Sequence, residues 1–286
     1  MSTLDPNQYK VAERQSWDSL ANNLQKWWKT IERGAEKVSR RLIELAEIKP
    51  GSIVLDIATG IGEPAITAAN RVGKNGHVLA TDISPQMLSV AKQRAISLGL
   101  QNVIEFKEGD IETIELPSSM FDAVLCRWGL MFLPDLRAGL SNIYRSLIED
   151  GRIAAAVWAL PDQNTLIATT TNTVMKETNS KPPPPGTPGP FSLSDENNLL
   201  NSFMMSGFND LNIERMNVSL DFSSPDEFTA FTTETAGPLQ KMLANQTYVR
   251  KNEILKAVTE AAIKYADSNT GKVSFKNVAI LIVGKK

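Results

Sequence analysis

Two apolar stripes with helical spacing run through the first fifty residues. The first stripe consists of Leu20, Leu24, Trp27, Trp28 and Ile31. The second consists of Val38, Leu42, Leu45 and Ala46. Both repeat every three or four residues, which places their side chains on one helix face. The second stripe ends before Pro50 and Gly51, a pair that breaks helices. We therefore predict two amphipathic helices, which form an N-terminal helical cap over residues 1–50.

From residue 51 the pattern changes to short apolar runs that alternate with helical stretches. Strands are predicted at residues 52–57, 77–82, 103–107, 121–126 and 152–158. Helices are predicted between them, at residues 64–72, 84–98 and 136–147, the second opening with Ser84 as N-cap and Pro85 as first residue. Short loops between alternating strands and helices imply right-handed crossovers and a parallel sheet. Residues 51–160 are thus predicted to form a doubly wound α/β core.

The second half of the chain is more mixed. A polar helix is predicted at residues 162–178, and the proline-rich segment 181–190 is predicted to be an extended linker or surface loop. Further helix is predicted at 194–205 and over most of 225–266, and strands at 211–222 and 274–283. We expect residues 161–286 to complete the sheet with two strands and to carry a helical lid around 225–266.

The amino-acid composition limits the kinds of functional site that the chain can form. The chain has 30 Lys and Arg residues against 32 Asp and Glu residues, and its net charge is −2 at pH 7. This balance argues against a basic groove for nucleic acid. One Cys and one His among 286 residues exclude a disulfide framework and a Cys/His zinc site. We expect no metal and no nucleic-acid partner, and a site built from carboxylates, hydroxyls, Arg or Lys, or a bound cofactor.

Nothing near the N-terminus is typical of a targeting segment. The first residues are polar and lack the apolar stretch of a signal peptide. Apolar runs such as 153–160 are far shorter than the roughly 20 residues that cross a bilayer. The protein is therefore expected to be cytoplasmic and to have no membrane span.

A glycine-rich turn joins the first strand of the core to the next helix. Gly60, Gly62 and Ala65 fit the pattern G-x-G-x-x-A, which in dinucleotide-binding folds lets a ligand approach the backbone. An NAD-dependent oxidoreductase is therefore one hypothesis. Asp82 ends the second strand about 20 residues later, where a carboxylate accepts hydrogen bonds from ribose hydroxyls.

Two more carboxylates lie at strand ends. Asp56 ends the first strand and Asp110 follows the third. The carboxyl ends of parallel strands share one edge of a sheet, so Asp56, Asp82 and Asp110 are expected to converge on a ligand rich in hydrogen-bond donors.

Several segments together resemble the class I S-adenosylmethionine-dependent methyltransferases, in particular their small-molecule branch, which acts on quinones and natural products. VLDIATGIGEPA resembles the first motif of that family, LATDIS its ribose-binding strand end and EGDIE its adenine-binding loop. FDAVLCRWGLMFLPD, EDGRIAAAVW and KVSFKNVAILIV resemble its fourth, fifth and seventh strands. The resemblance implies a seven-stranded, doubly wound Rossmann-like sheet with the last strand antiparallel. Ala58 departs from the family pattern, since a glycine often stands there.

The resemblance also implies roles for individual residues. Asp82 is expected to bind the ribose hydroxyls and Asp110 the adenine amino group of S-adenosylmethionine. Arg127 is expected to lie near the sulfonium methyl group, paired either with a ligand carboxylate or with a structural ion-pair partner. The implied cofactor-binding set is Asp56, Ala58, Thr59, Gly60, Gly62, Asp82, Ile83, Met87, Asp110, Ile111 and Arg127.

The sequence indicates the residues that bind the methyl acceptor less clearly than those that bind the cofactor. Aromatic residues expected to line it are Trp27, Trp28, Trp128, Phe228 and Phe231, although such residues also serve in ordinary core packing. No catalytic residue is identified, and His77 is not expected to be a base because it begins the second strand, far from the site.

The leading hypothesis is methyl transfer from S-adenosylmethionine to a small, partly apolar acceptor such as a quinone precursor or a specialised metabolite. The enzyme would act by in-line displacement that relies on proximity and desolvation. The alternatives are the NAD-dependent oxidoreductase and a cofactor-binding module without turnover. The acceptor atom, whether oxygen, nitrogen or carbon, and the oligomeric state stay open.

Overall fold

A sheet of seven strands forms the centre of the molecule. The computed structural model describes residues 5–184 and 186–286, so residues 1–4 of the predicted cap and residue 185 of the predicted proline-rich loop lie outside the described residues. In the described part, the strands are β1 (Ile53–Ile57), β2 (His77–Asp82), β3 (Ile104–Glu108), β4 (Phe121–Arg127), β5 (Leu147–Trp158), β6 (Asn209–Phe222) and β7 (Val273–Lys285). Their order across the sheet is β3-β2-β1-β4-β5-β7-β6.

Strand directions confirm the predicted fold class. Strands β1 to β5 pair in parallel, and β7 runs antiparallel to both of its neighbours, β5 and β6. The sheet is therefore doubly wound with a reversed last strand. Both faces of the central strands are covered, because one buried apolar cluster lies on each side of the sheet. Burial on both faces explains why the inner parallel strands contain long apolar runs, whereas the edge strand β3 alternates apolar and charged residues.

Helices pack on both faces of this sheet. They are α1 (Pro6–Leu45), α2 (Ala65–Val72), α3 (Pro85–Ser97), α4 (Leu136–Ser146), α5 (Thr165–Thr178), α6 (Glu196–Met205), α7 (Pro225–Thr235), α8 (Gly237–Leu243) and α9 (Tyr248–Ala262). The predicted N-cap of α3 is confirmed, since Ser84 Oγ accepts a hydrogen bond from Met87 N at 3.1 Å. Within residues 5–184 and 186–286, no helix has both the length and the apolar composition needed to cross a membrane.

The N-terminal region corrects the prediction of two helices. It is one helix, α1, of 40 residues. The two apolar stripes differ because α1 packs first against α3 and later against β6. Gly34 lies between the stripes, and a Cβ atom there would come within 2.2 Å of Ser219 O on β6. Gly34 therefore permits close contact between helix and sheet and does not end the helix.

The start of β5 also differs from the prediction. Leu147 was assigned to the preceding helix by its spacing, but it begins β5 and pairs with Phe121. The register then shifts before Arg152 pairs with Ala123, and Asp150 takes a positive φ of 64° between them. Residues 148–151, between the predicted helix and the predicted strand, are therefore an irregularity within one strand.

We expect Gly34→Ala to destabilise the protein by about 1–3 kcal/mol, the usual cost of overpacking a tight contact. Helix propensity alone predicts the opposite sign, since alanine favours a helix over glycine by about 1 kcal/mol. Urea unfolding monitored by circular dichroism measures the difference. Asn22→Ala, on an exposed position of the same helix, is the matched control and is expected to be neutral or slightly stabilising. Equal stabilisation by both substitutions would contradict the close contact.

Candidate functional site

A cleft of about 270 Å³ opens at the carboxyl ends of the central strands. Its floor is formed by the loops that follow β1, β2, β3 and β4, and residues 9–32 of α1 form its roof. Strands β2 and β4 flank β1 on opposite sides, so the chain direction across the sheet reverses there. Ligands of open α/β sheets bind in the crevice at such a reversal. The cleft is therefore the candidate site.

The glycine turn forms one side of the cleft. Ala58, Gly60 and Gly62 have positive φ values of 53°, 55° and 106°, which an L side chain rarely adopts. A Cβ atom on Gly60 would meet nothing within 4 Å, whereas one on Gly62 would lie 3.0 Å from Ile66 Cδ1. Gly60 thus leaves open space for a ligand, and Gly62 serves packing behind the turn. Ala58 adopts the same left-handed conformation that glycine would.

Asp82 connects this turn to the start of α3. Its Oδ2 accepts a hydrogen bond from Gly60 N at 2.8 Å, and its Oδ1 accepts one from Ser84 N at 2.9 Å. The side chain lines the cleft although the residue is only 7% exposed. Burial raises the pKa of Asp82 to about 6, against the opposing effect of the backbone N–H groups. Asp82 is therefore placed to hold the turn and to face a ligand.

Asp56 lies behind the turn and does not line the cleft. Its Oδ2 accepts a hydrogen bond from Ala65 N, at the start of α2, at 2.9 Å. Burial raises the pKa of Asp56 to about 7, and the nearby Thr59 hydroxyl opposes that rise. Even so, Asp56 Oδ1 and Thr59 Oγ1 lack a partner at hydrogen-bonding geometry among the described residues. Two polar atoms at the base of the turn, next to the cleft, are therefore able to accept or donate further hydrogen bonds.

Asp110 lies at the outer end of the cleft. Its Oδ1 accepts a hydrogen bond from Glu112 N at 2.9 Å, and its Oδ2 is 2.7 Å from Lys10 Nζ. Lys10 also forms an ion pair with Glu112. The N-terminal turns of α1 are therefore attached directly to the loop after β3.

Arg127 occupies the opposite end of the cleft and forms a structural ion pair. Its two terminal nitrogens donate to Glu32 Oε2 and Oε1 at 3.0 and 2.6 Å, and Nη1 also donates to Ser39 Oγ at 2.8 Å. Both Glu32 and Ser39 lie on α1. The sequence left open whether Arg127 pairs with a ligand carboxylate or with a residue of the protein, and the structure shows the second. The ion pair fixes α1 over the end of β4.

The predicted aromatic residues divide into two groups. Trp28 and Trp128 line the cleft. Trp27 instead turns away: its Nε1 donates to Glu234 Oε2 at 2.6 Å, and its ring packs edge-on against Phe231. Phe228 and Phe231 are buried in the core cluster on that face of the sheet. The reason is that α7 packs its aromatic side chains against β6 and β7, so the structure does not bring these three residues to the cleft.

Most of the predicted cofactor-binding residues do meet in the cleft. Those that line it are Ala58, Thr59, Gly60, Asp82, Ile83, Met87, Asp110, Ile111 and Arg127. Among the described residues of 225–266, none lines it, so the roof is α1 and not the predicted lid. Residues that the sequence analysis missed include Tyr9, Lys10, Glu13, Glu32, Glu63 and Phe132. Of these, Glu63 could have been found from its place directly after Gly62.

Known proteins resemble the part of the chain that forms the floor of this cleft. Residues 54–151 match the family described as methyltransferase domain. The chain is 32% identical over 138 residues to the ubiquinone/menaquinone biosynthesis C-methyltransferase UbiE of Hydrogenovibrio crunogenus, covering 48% of this chain and 54% of that protein. For UbiE of Xanthomonas oryzae pv. oryzae the identity is 35% over 113 residues, or 40% and 45% of the two chains. The chain thus spans about half the length of these relatives.

Solved structures extend the similarity to most of the fold. The YcgJ protein of Bacillus subtilis has a TM-score of 0.59 at 20% identity, covering 88% of this chain and 98% of its own. Phosphoethanolamine N-methyltransferase 2 of Haemonchus contortus, solved in complex with S-adenosyl-L-methionine, has a TM-score of 0.54 at 19% identity, covering 87% and 52% of the two chains. At these identities the likeness establishes a shared fold.

Proposed function

We propose that this chain is a class I S-adenosylmethionine-dependent methyltransferase that transfers a methyl group to a small, partly apolar acceptor such as a quinone precursor. The match of residues 54–151 to a methyltransferase domain supports this proposal. The observation that carries the proposal is the cleft, where a glycine turn and two strand-end carboxylates, Asp82 and Asp110, face an apolar roof. The quinone class is supported by the similarity to UbiE proteins, which are named as quinone C-methyltransferases.

The cofactor half of the cleft suits S-adenosylmethionine. When bound, this cofactor supplies a methyl group on a positively charged sulfur, activated for in-line displacement. Asp82 accepts hydrogen bonds from ribose hydroxyls, since its carboxylate keeps acceptor capacity beyond its two backbone donors. Asp110 accepts from the adenine amino group, and Ile83 and Ile111 pack on the ring. The open space above Gly60 admits the cofactor close to the backbone.

The acceptor half is walled by apolar side chains. Trp17 packs edge-on against Phe132 with ring centroids 5.4 Å apart, and Leu24, Trp28 and Trp128 also line the cleft. These side chains exclude water and orient the acceptor, which supplies the proximity that a displacement needs. A flat, apolar ring system fits this wall better than a charged or strongly hydrated acceptor.

Two features favour methyl transfer over an NAD-dependent reaction. The sheet ends in a reversed strand, β7, inserted between β5 and β6, whereas the six-stranded dinucleotide-binding order has no reversed strand. The matched family is also a methyltransferase domain. The G-x-G-x-x-A pattern at Gly60, Gly62 and Ala65 is common to both classes and does not separate them.

Calorimetric titration tests the proposal. The purified protein is expected to bind S-adenosylmethionine and S-adenosylhomocysteine, its demethylated product, and not NADH. Binding of NADH alone would overturn the proposal in favour of an oxidoreductase. Incubation with methyl-labelled cofactor and a metabolite extract, followed by mass spectrometry, is expected to reveal one labelled acceptor of quinone type. Cofactor binding without any labelled product would indicate a module that binds without turnover.

A further inference from the structure

Four charged side chains gather at the end of the cleft where β1 and β4 terminate. They are Glu32, Glu63, Arg94 and Arg127, and the exposure of their side chains is 8–14%. We refer to them as the buried charge cluster. Glu32, Glu63 and Arg127 line the cleft. Charges this buried are costly unless each is paired and hydrogen-bonded, so the partners of each group are informative.

Both arginines of the buried charge cluster have hydrogen-bond partners within the protein. Arg127 donates to both oxygens of Glu32 and to Ser39 Oγ. Arg94 donates to Ile61 O, and its guanidinium lies 4.6 Å from the ring centroid of Trp28. These contacts fix both cations in place, and of the two only Arg127 lines the cleft.

Glu63 differs because only one of its oxygens is well partnered. Its Oε2 accepts hydrogen bonds from Thr67 Oγ1 at 2.7 Å and from Thr67 N at 3.3 Å. Its Oε1 lies 3.6 Å from Arg94 Nη2. This separation is beyond hydrogen-bonding distance. Burial and the neighbouring Glu32 raise the pKa of Glu63, so a cation brought to this oxygen would be favoured. Glu63 therefore presents a buried acceptor to the cleft.

The order of the strands indicates what reaches Glu63. If the proposed function holds, adenine lies at the end of β3, by Asp110, and the ribose at the end of β2, by Asp82. The next strands across the sheet are β1 and β4, so the amino-acid end of the cofactor lies over the buried charge cluster. That end carries an ammonium group and a carboxylate.

We infer that Glu63 Oε1 accepts a hydrogen bond from the α-ammonium group of S-adenosylmethionine. This inference rests on the proposed function and deepens it, since it makes Glu63 the residue that selects ligands with an intact amino-acid end. The glycine turn offers backbone groups and the Thr59 hydroxyl, all of them uncharged, whereas a buried carboxylate forms a stronger, charge-assisted hydrogen bond.

Two ligands that differ only at the amino-acid end test the inference. S-adenosylhomocysteine and 5′-methylthioadenosine share adenine, ribose and sulfur, but the second lacks the ammonium and carboxylate groups. Glu63→Gln keeps the shape of the side chain and its contact with Thr67. Calorimetry is expected to show about 10- to 100-fold weaker binding of S-adenosylhomocysteine, the usual loss for a charge-assisted hydrogen bond, with methylthioadenosine affinity changed by less than about twofold.

Controls separate this inference from the proposed function. Glu36→Gln, an exposed position on α1, is expected to leave both affinities unchanged. Equal losses for the two ligands, or no loss for either, in Glu63→Gln would overturn the role of Glu63. Failure of the unsubstituted protein to bind either ligand would instead overturn the proposed function. Should the variant not fold, the unsubstituted protein with deaminated S-adenosylhomocysteine gives the same comparison, and full affinity for that analogue would also refute the inference.

Discussion

Asp82→Ala is expected to weaken the binding of S-adenosylhomocysteine by at least about 100-fold. The carboxylate holds Gly60 N and Ser84 N, so its loss releases the glycine turn and the start of α3 as well as the proposed ribose contact. A hydrogen bond to a charged group contributes about 1.5–3 kcal/mol, and removing several together exceeds a hundredfold effect. Calorimetry on the variant measures the loss.

His77→Ala is the matched control for Asp82. His77 begins the same strand that Asp82 ends, and its Nε2 lies 3.4 Å from Glu105 Oε2 on the neighbouring strand. Its replacement is expected to leave the affinity within about twofold and turnover nearly intact, whereas loss of a general base would cost about 100-fold or more. Comparable losses in both variants would show that the effect comes from damage to β2 and not from the ligand contact.

The raised pKa of Asp82, about 6, adds a pH signature. Ligand binding that uses the carboxylate is expected to weaken as pH falls below 6, where Asp82 becomes protonated. The contribution to folding has the opposite sign: a carboxyl group whose pKa is raised by folding stabilises the folded state at low pH, and that contribution is lost as pH rises through 6. In Asp82→Asn the pH dependence of binding near 6 is expected to disappear.

Arg127→Met is expected to lower the free energy of unfolding by about 3–5 kcal/mol, the usual cost of leaving a buried charge without its partner. Glu32 is 14% exposed at its side chain and depends on Arg127 for both of its oxygens. The pair also joins α1 to the end of β4. Urea unfolding monitored by circular dichroism measures the loss.

The double variant Glu32→Gln/Arg127→Met distinguishes an unpaired charge from lost packing. It is expected to be more stable than Arg127→Met alone, since no buried charge is left unpaired. Arg41→Met is the matched control on α1: Arg41 pairs with Glu214 and Glu44 nearer to solvent, and its loss is expected to cost at most about 1 kcal/mol. A double variant no more stable than the single one would contradict the ion-pair explanation.

The sequence predicts the core of this fold well because its signals are local. The strands of residues 51–160 other than the edge strand β3 contain continuous apolar runs, and Ser84 is a cap recognised from its immediate neighbours. The prediction of two helices was wrong because the two apolar stripes contact different elements far along the chain, the first α3 and the second the sheet near Ser219, while the helix itself continues through Gly34. Leu147 fits helical and strand spacing equally, so only its pairing with Phe121 decides its place.

In the candidate site, too, the residues indicated by local signals could be predicted, and those placed by contacts between distant parts of the chain could not. Asp82 and Asp110 could be predicted because the carboxyl ends of parallel strands meet at one edge. Lys10 and Glu32 could not, because nothing local indicates that α1 crosses that edge. The aromatic residues show the remaining ambiguity, since Trp28 reaches the cleft whereas Phe231 does not, although both have the spacing of a buried helix face.

The attachment of α1 changes along its length. Its buried residues lie mainly in the second half, from Gly34 to Ile43, and only Leu20 and Ala21 are buried before that. The first turns are held by polar contacts of Lys10 and Arg14, which water and salt weaken. Amide hydrogen exchange is therefore expected to be fastest at the first turns and slowest after Gly34. Fraying from that end would first expose the end of the cleft at Asp110, where we propose that adenine binds, giving the ligand a route in and out while the rest of the helix stays folded.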